Sequence, residues 1–127
     1  MTRVIVGLGS NIEPRRNIEE ALRRLRQTHH VAAQSQVIQT KPIGFAGQPD
    51  FLNAAVLIET TLSREELKQR LRQLEASLGR VRGGDKSGPR TIDLDILVWD
   101  GQIVDADVAQ RPFLQKLIRQ VMPDAAF

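Results

Sequence analysis

The apolar positions change period along the chain, and each change predicts an element. Val4, Ile5, Val6 and Leu8 form an apolar, β-branched run. It predicts a strand over Arg3 to Leu8, with Gly9-Ser10-Asn11 turning out of it. Ile18, Ala21, Leu22 and Leu25 then follow the spacing of one helix face, in a helix begun by Pro14 or capped by Asn17 with Glu20. Val31 to Gln39 alternates loosely and predicts a second, more exposed strand. Thr40 to Pro49 carries Pro42, Gly44, Gly47 and Pro49 and reads as a loop of defined path. Phe51 to Thr61 predicts a third strand. Ser63 and Glu66 form a capping box for a helix with the stripe Leu67, Leu71, Leu74 and Leu78, stopped by Gly79. A basic, glycine-rich loop from Arg80 to Gly88 leads to a fourth strand over Ile92 to Trp99. Asp100-Gly101 suits a hairpin turn, with Gln102 to Val104 returning. Phe113, Leu114, Leu117, Ile118, Val121 and Met122 predict a last helix that begins at Pro112 and stops at Pro123. The order βαββαβ plus hairpin and helix predicts one α+β domain over residues 1–127, a ferredoxin-like antiparallel sheet with helices packed on it.

Composition narrows the function classes. The chain has no cysteine, which excludes disulfides, thiolate metal sites and a cysteine nucleophile. No window approaches the roughly 18 apolar residues of a spanning helix, and the N-terminus lacks a secretory pattern, so a cytoplasmic protein without a membrane partner is expected. The net charge of +3 is modest and aromatics make up 4%. A nucleic-acid binder would show a denser basic face with stacking rings, so no nucleic-acid partner is expected. A monomer is the expectation.

The candidate chemistry is concentrated in Gly88-Pro89-Arg90-Thr91-Ile92-Asp93-Leu94-Asp95-Ile96-Leu97. Period-two alternation places Ile92, Leu94 and Ile96 on one face and Thr91, Asp93, Asp95 and Leu97 on the other. Two carboxylates side by side on a half-buried strand repel unless a cation sits between them. Paired hard oxygens suit Mg2+, which commonly arrives with phosphates. Arg80, Arg82, Lys86 and Arg90 stand next door among Gly79, Gly83, Gly84 and Gly88. A solvated helix-end cluster would account for the cations alone. Their continuity with the two carboxylates favours phosphoryl-type transfer. Asn53, in a strand of apolar and small residues, either bonds loop backbone or reads the amide edge of a flat heterocycle. Phe51, on the same face, either stacks on that ring or packs in the core. Gly7-Leu8-Gly9 is no dinucleotide fingerprint, because Ile12 occupies the third glycine position. His29 and His30 sit at a helix end, where they complement the dipole.

The stretch from Gly88 to Leu97 resembles the signature of the 6-hydroxymethyl-7,8-dihydropterin pyrophosphokinase family of folate biosynthesis. Gly9-Ser10-Asn11, Thr40-Lys41-Pro42-Ile43-Gly44, Gln48-Pro49-Asp50-Phe51-Leu52-Asn53-Ala54-Ala55 and Leu78-Gly79-Arg80-Val81-Arg82 agree in the same order, from about Val4 to Gly101. The resemblance implies a ferredoxin-like fold and transfer of diphosphate from ATP to the pterin hydroxymethyl oxygen, releasing AMP. It implies two Mg2+ ions on Asp93 and Asp95, and phosphate neutralisation by Arg80, Arg82 and Arg90. Glu75, Lys86 and Ile96 would join those arginines in binding ATP. Thr40, Pro42, Ile43 and Asn53 would hold the pterin, with Phe51 and Phe113 sandwiching it. The chain departs from the family pattern at two places. Ser87 and Lys86 replace a Trp and an Arg of the loop, and the segment from Asp105 to Gln110 replaces a longer one containing a Pro-His pair. A relative that binds pterin or nucleotide without turnover is the alternative, followed by an RNA-binding module.

Overall fold

A computed structural model describes residues 1–42, 47–80 and 91–125. The elements are β1 (Thr2–Ser10), α1 (Pro14–Thr28), β2 (His30–Gln34), β3 (Ile38–Thr40), β4 (Phe51–Thr60), α2 (Arg64–Ser77), β5 (Asp93–Trp99), β6 (Gln102–Ile103), α3 (Asp107–Gln110) and α4 (Pro112–Val121). They form a six-stranded sheet in the order β2-β4-β1-β5-β6, with β3 also pairing β4. Every pairing is antiparallel. The βαββαβ order and this strand arrangement are those of the ferredoxin-like fold, and the chain is α+β as expected.

Alternation along β1 divides the core. Val4, Val6 and Leu8 face α1 and α2, meeting Ile18, Leu22, Leu25, Leu67 and Leu71 together with Val56, Ile58, Ile92 and Leu94. Ile5 faces the other way and packs with Leu57, Leu97 and Val98 against Leu114, Leu117, Ile118 and Val121 of α4. Each fully buried Leu or Ile contributes about 1.5–3 kcal/mol. The expected parity of β5 holds from Ile92 to Leu97. A β-bulge between Ile5 and Val6 then lets Ile96 and Val98 pair with consecutive β1 residues, leaving Leu97 as the extra one. Leu97 and Val98 therefore both join the α4 side, while Trp99 returns to the α1–α2 side.

Local chemistry explains the boundaries. Pro14, rather than Asn17, opens α1. Asn17 is buried and its Nδ2 donates to the Ile12 carbonyl at 2.6 Å. The capping box of α2 is present, with Ser63 Oγ accepting from Glu66 N–H at 3.1 Å and the Glu66 carboxylate accepting from Ser63 N–H at 3.0 Å. Gly79 ends that helix at φ 94°, a left-handed conformation that favours glycine. Its N–H donates to the Ala76 carbonyl and that of Arg80 to the Glu75 carbonyl, closing a Schellman motif. The single strand expected over Val31 to Gln39 is two strands. Ser35 separates them by exchanging bonds with Ala55, its N–H donating at 2.9 Å and its Oγ accepting at 2.8 Å. The four-residue helix α3 has too short a period to be read from sequence.

Candidate active site

On the α4 face of the sheet, Gly7 pairs with Asp95 and Gly9 with Asp93 across β1 and β5. On the other flank Gly9 pairs with Asn53 and Gly7 with Ala55. The two carboxylates thus adjoin positions without side chains, at a cavity that Phe113 and Leu114 of α4 also line. Over Gly7 the Leu97 side chain takes the space, 2.9 Å from where a Cβ would stand, whereas Gly9 borders a cavity beside the Asn53 amide.

The carboxylate strand is held from α2 by a single buried acid. β6 reaches only Val98 and Trp99, so the outer edge of β5 at Leu94 has no neighbouring strand among the described residues. Glu75, 1% exposed, fills the gap and accepts from Leu94 N–H at 2.7 Å. Arg72 Nη1 donates to the Leu94 carbonyl at 3.0 Å and to Glu75 at 2.9 Å. Two side chains thereby satisfy the edge groups that a strand would otherwise pair. Arg80, directed back by the Schellman turn, donates to the Ile92 carbonyl at 2.9 Å and to Asp93 Oδ1 at 2.6 Å, and forms a 3.4 Å ion pair with Glu75. Glu75, expected from the family resemblance to face the nucleotide, has its carboxylate on Leu94 N–H, Arg72 and Arg80.

Burial, the neighbouring Asp93 charge and hydrogen bond, and the charge of Asp105 push the Asp95 carboxyl up to about 7, against the opposing pull of Arg72. Arg72 Nη2 lies 3.8 Å from Asp95 Oδ1. Such a carboxylate calls for a cation. No group of three or more His, Cys, Asp or Glu among the described residues forms a metal cage. Two carboxylates that leave the remaining positions to water and phosphate oxygens match the preference of Mg2+. The donor set fits the ion, and the Arg80 contact to Asp93 is what binding would have to displace.

Two cavities flank the pair. One, of about 290 Å³, runs between α2 and β5 and is lined by Arg64, Lys68, Arg72, Asp95, Ile96 and Asp105, among others. The other, of about 130 Å³, is lined by Gly9, Asn53, Asp93, Asp95, Asp105 and Phe113, among others. Behind the Asn53 of the second, Thr40 Oγ1 donates to Asn53 Oδ1 at 2.5 Å and so orients the amide. A Cβ at position 9 would lie 3.0 Å from Asn53 Nδ2, so glycine is what lets the amide lie over β1. Phe51 also approaches Gly9, with Cδ2 at 4.0 Å from the same point. Pro42 is half-buried beyond β3. Gly9-Ser10-Asn11 proves to be a fastening. Ser10 Oγ donates to the Thr91 carbonyl at 2.5 Å, and Asn11 Nδ2 donates to Gln48 at 2.7 Å and to the Pro49 carbonyl at 3.2 Å.

Of the expected site residues, Asn53, Asp93, Asp95, Ile96 and Phe113 line these cavities, Thr40 bonds Asn53, Arg80 bonds Asp93, and Phe51 approaches Gly9. Ile43, Arg82, Lys86 and Arg90 lie outside the described residues, as does Ser87. His29 and His30 stay away from the site, the latter paired with Glu59 at 3.1 Å. Sequence reading missed Arg72 and Asp105. The helical spacing of Arg64, Lys68 and Arg72 was the available signal for the first.

A carboxylate pair beside a cavity where Arg64, Lys68 and Arg72 stand with Glu65 and Asp105, and beside an amide-bearing one, defines a site suited to a divalent cation carrying an anionic ligand. Residues 5–123 match the family model described as 7,8-dihydro-6-hydroxymethylpterin-pyrophosphokinase, and the chain belongs to that family. It is 43% identical over 107 residues to the 2-amino-4-hydroxy-6-hydroxymethyldihydropteridine pyrophosphokinase of Pseudomonas aeruginosa, covering 81% of this chain and 65% of that protein. The protein of the same name from Methylorubrum extorquens is 37% identical over 135 residues, covering 98% and 85%. The mitochondrial folate synthesis bifunctional protein of Pisum sativum is 38% identical over 111 residues, covering 86% of this chain and 21% of its own length.

Proposed function

We propose that this chain transfers the terminal diphosphate of ATP to the hydroxymethyl oxygen of 6-hydroxymethyl-7,8-dihydropterin, releasing AMP, a step of folate biosynthesis. The observation that carries this reading is the Asp93–Asp95 pair standing between a cavity where Arg64, Lys68 and Arg72 offer cations and one lined by Asn53 and Phe113. Family membership supports the substrates. Asp93 and Asp95 would hold Mg2+, two ions in the family's manner, which when bound would neutralise triphosphate charge.

The remaining work belongs to side chains of this chain. Arg80, with Arg82, Lys86 and Arg90 of the basic loop, stabilises charge on the transferred group. Arg72, Lys68 and Arg64 line the nucleotide side beside Ile96. Asn53, fixed by Thr40, offers its Nδ2 to the pterin edge, since among the described residues it donates to no protein group. Pro42 and Ile43 complete the pterin loop, and Phe51 and Phe113 bracket the ring. Glu75 acts through others, holding Leu94 and therefore the flanking carboxylates in place. Positioning and electrostatics carry the transfer, with no covalent intermediate.

The test is AMP formation from ATP and the reduced pterin, with and without Mg2+. AMP that depends on both pterin and Mg2+ is expected. Pterin binding by calorimetry with no AMP at high protein concentration would replace this reading with that of a non-catalytic binder.

A further inference from the structure

The cavities on the two sides of the carboxylate pair share two lining residues, Asp95 and Asp105. A group passing from a donor in one cavity to an acceptor in the other passes between them. Asp95 is committed to the metal pair, whereas Asp105 has had no role so far. Its backbone is fixed on both sides, by Val104 N–H donating to the Leu97 carbonyl at 2.9 Å and Val108 N–H donating to its own carbonyl at 3.2 Å. Its Oδ1 accepts from Asp107 N–H at 2.8 Å, which orients the carboxylate at the start of α3. Its Oδ2 has no protein donor and no cation among the described residues. The neighbouring Asp107 differs, being paired with Arg111 at 3.4 Å.

We infer that Asp105 is a catalytic residue, the general base that accepts the proton of the attacking hydroxyl. The inference rests on the proposed diphosphate transfer. In that step the hydroxymethyl oxygen bonds to the β-phosphorus while its proton moves to Asp105 Oδ2. The bond from the β-phosphorus to the oxygen bridging the α-phosphorus breaks, and its electron pair leaves on AMP. Asp105 then returns the proton to solvent. The other carboxylates at the junction are poor candidates, because Asp93 and Asp95 lend their lone pairs to a cation and Asp107 to Arg111.

Asp105→Asn tests this, because the amide oxygen still accepts from Asp107 N–H and the fold is retained. With ATP, Mg2+ and the reduced pterin, kcat should fall by about 100-fold. Dissociation constants for the pterin and for a non-hydrolysable ATP analogue with Mg2+, measured by calorimetry, should stay within about twofold, and the thermal midpoint should not fall. Asp105→Glu, which keeps a carboxylate, should recover part of the lost rate. A kcat within about threefold of the unsubstituted chain overturns the assignment, as does a loss confined to pterin affinity. Absence of AMP from the unsubstituted chain overturns the reaction itself and this role with it.

Discussion

Replacing Glu75 by alanine tests whether the carboxylate strand is held from α2. The side chain is 1% exposed and its Oε2 accepts from Leu94 N–H at 2.7 Å. Its removal orphans that edge N–H, at a cost of about 1–3 kcal/mol. The arginines add less. Arg72 retains 32% side-chain exposure and regains water, and Arg80 keeps its 2.6 Å contact to Asp93. The space left by the side chain adds about 1 kcal/mol. The total is about 3 kcal/mol, or roughly 10 °C in thermal midpoint for a chain of this size. Glu75→Gln keeps an acceptor for Leu94 and should lose about 1 kcal/mol. Urea unfolding followed by circular dichroism measures both, and the AMP assay should show kcat falling more than KM for ATP rises. An alanine variant within about 1 kcal/mol of the parent, combined with a raised KM for ATP, would refute the reasoning and return Glu75 to a direct nucleotide contact.

Asp95→Asn should trade activity for stability. Because the folded-state carboxyl titrates near 7, the folded chain retains a proton that the unfolded chain has lost, and stability falls as pH rises from about 4 to 7. At pH 8 in EDTA the variant should therefore gain roughly 1–2 kcal/mol, a figure discounted for the 39% exposure of the side chain, with no gain near pH 4 and no AMP formation. An unchanged melting curve at pH 8 contradicts this. Gly9→Ala places a methyl 3.0 Å from Asn53 Nδ2 and should weaken pterin binding about tenfold by displacing the amide. Its thermal midpoint should stay within about 2 °C, and intact calorimetric affinity would exclude the contact.

What the sequence disclosed was governed by side-chain periodicity. The stripes on α1 and α2, the capping box, the hairpin turn and the common face of Asp93 and Asp95 were all legible, because each is written in residue type at a fixed spacing. The bulge at Leu97 was not, since Ile96-Leu97-Val98 is apolar in either parity and the slip lies in the backbone. Nor was the break at Ser35, which depends on a partner in β4. The hold of Glu75 on β5 was not legible either, because its partner there is the Leu94 backbone N–H, which leaves no mark in the sequence. Asp105 became visible only when the return from the hairpin set it between two cavities.

The edge of β5 at Leu94, which no strand among the described residues pairs, has a consequence for the chain in company with its own copies. A half-buried strand with open N–H and C=O groups is a template for pairing with another molecule. Glu75 and Arg72 occupy those groups at Leu94, and a neighbouring strand would have to evict an ion pair whose carboxylate is buried to reach them. The same two side chains that steady the site therefore also act as a guard against self-association. A chain that lost them would be threatened by aggregation as well as by slower chemistry.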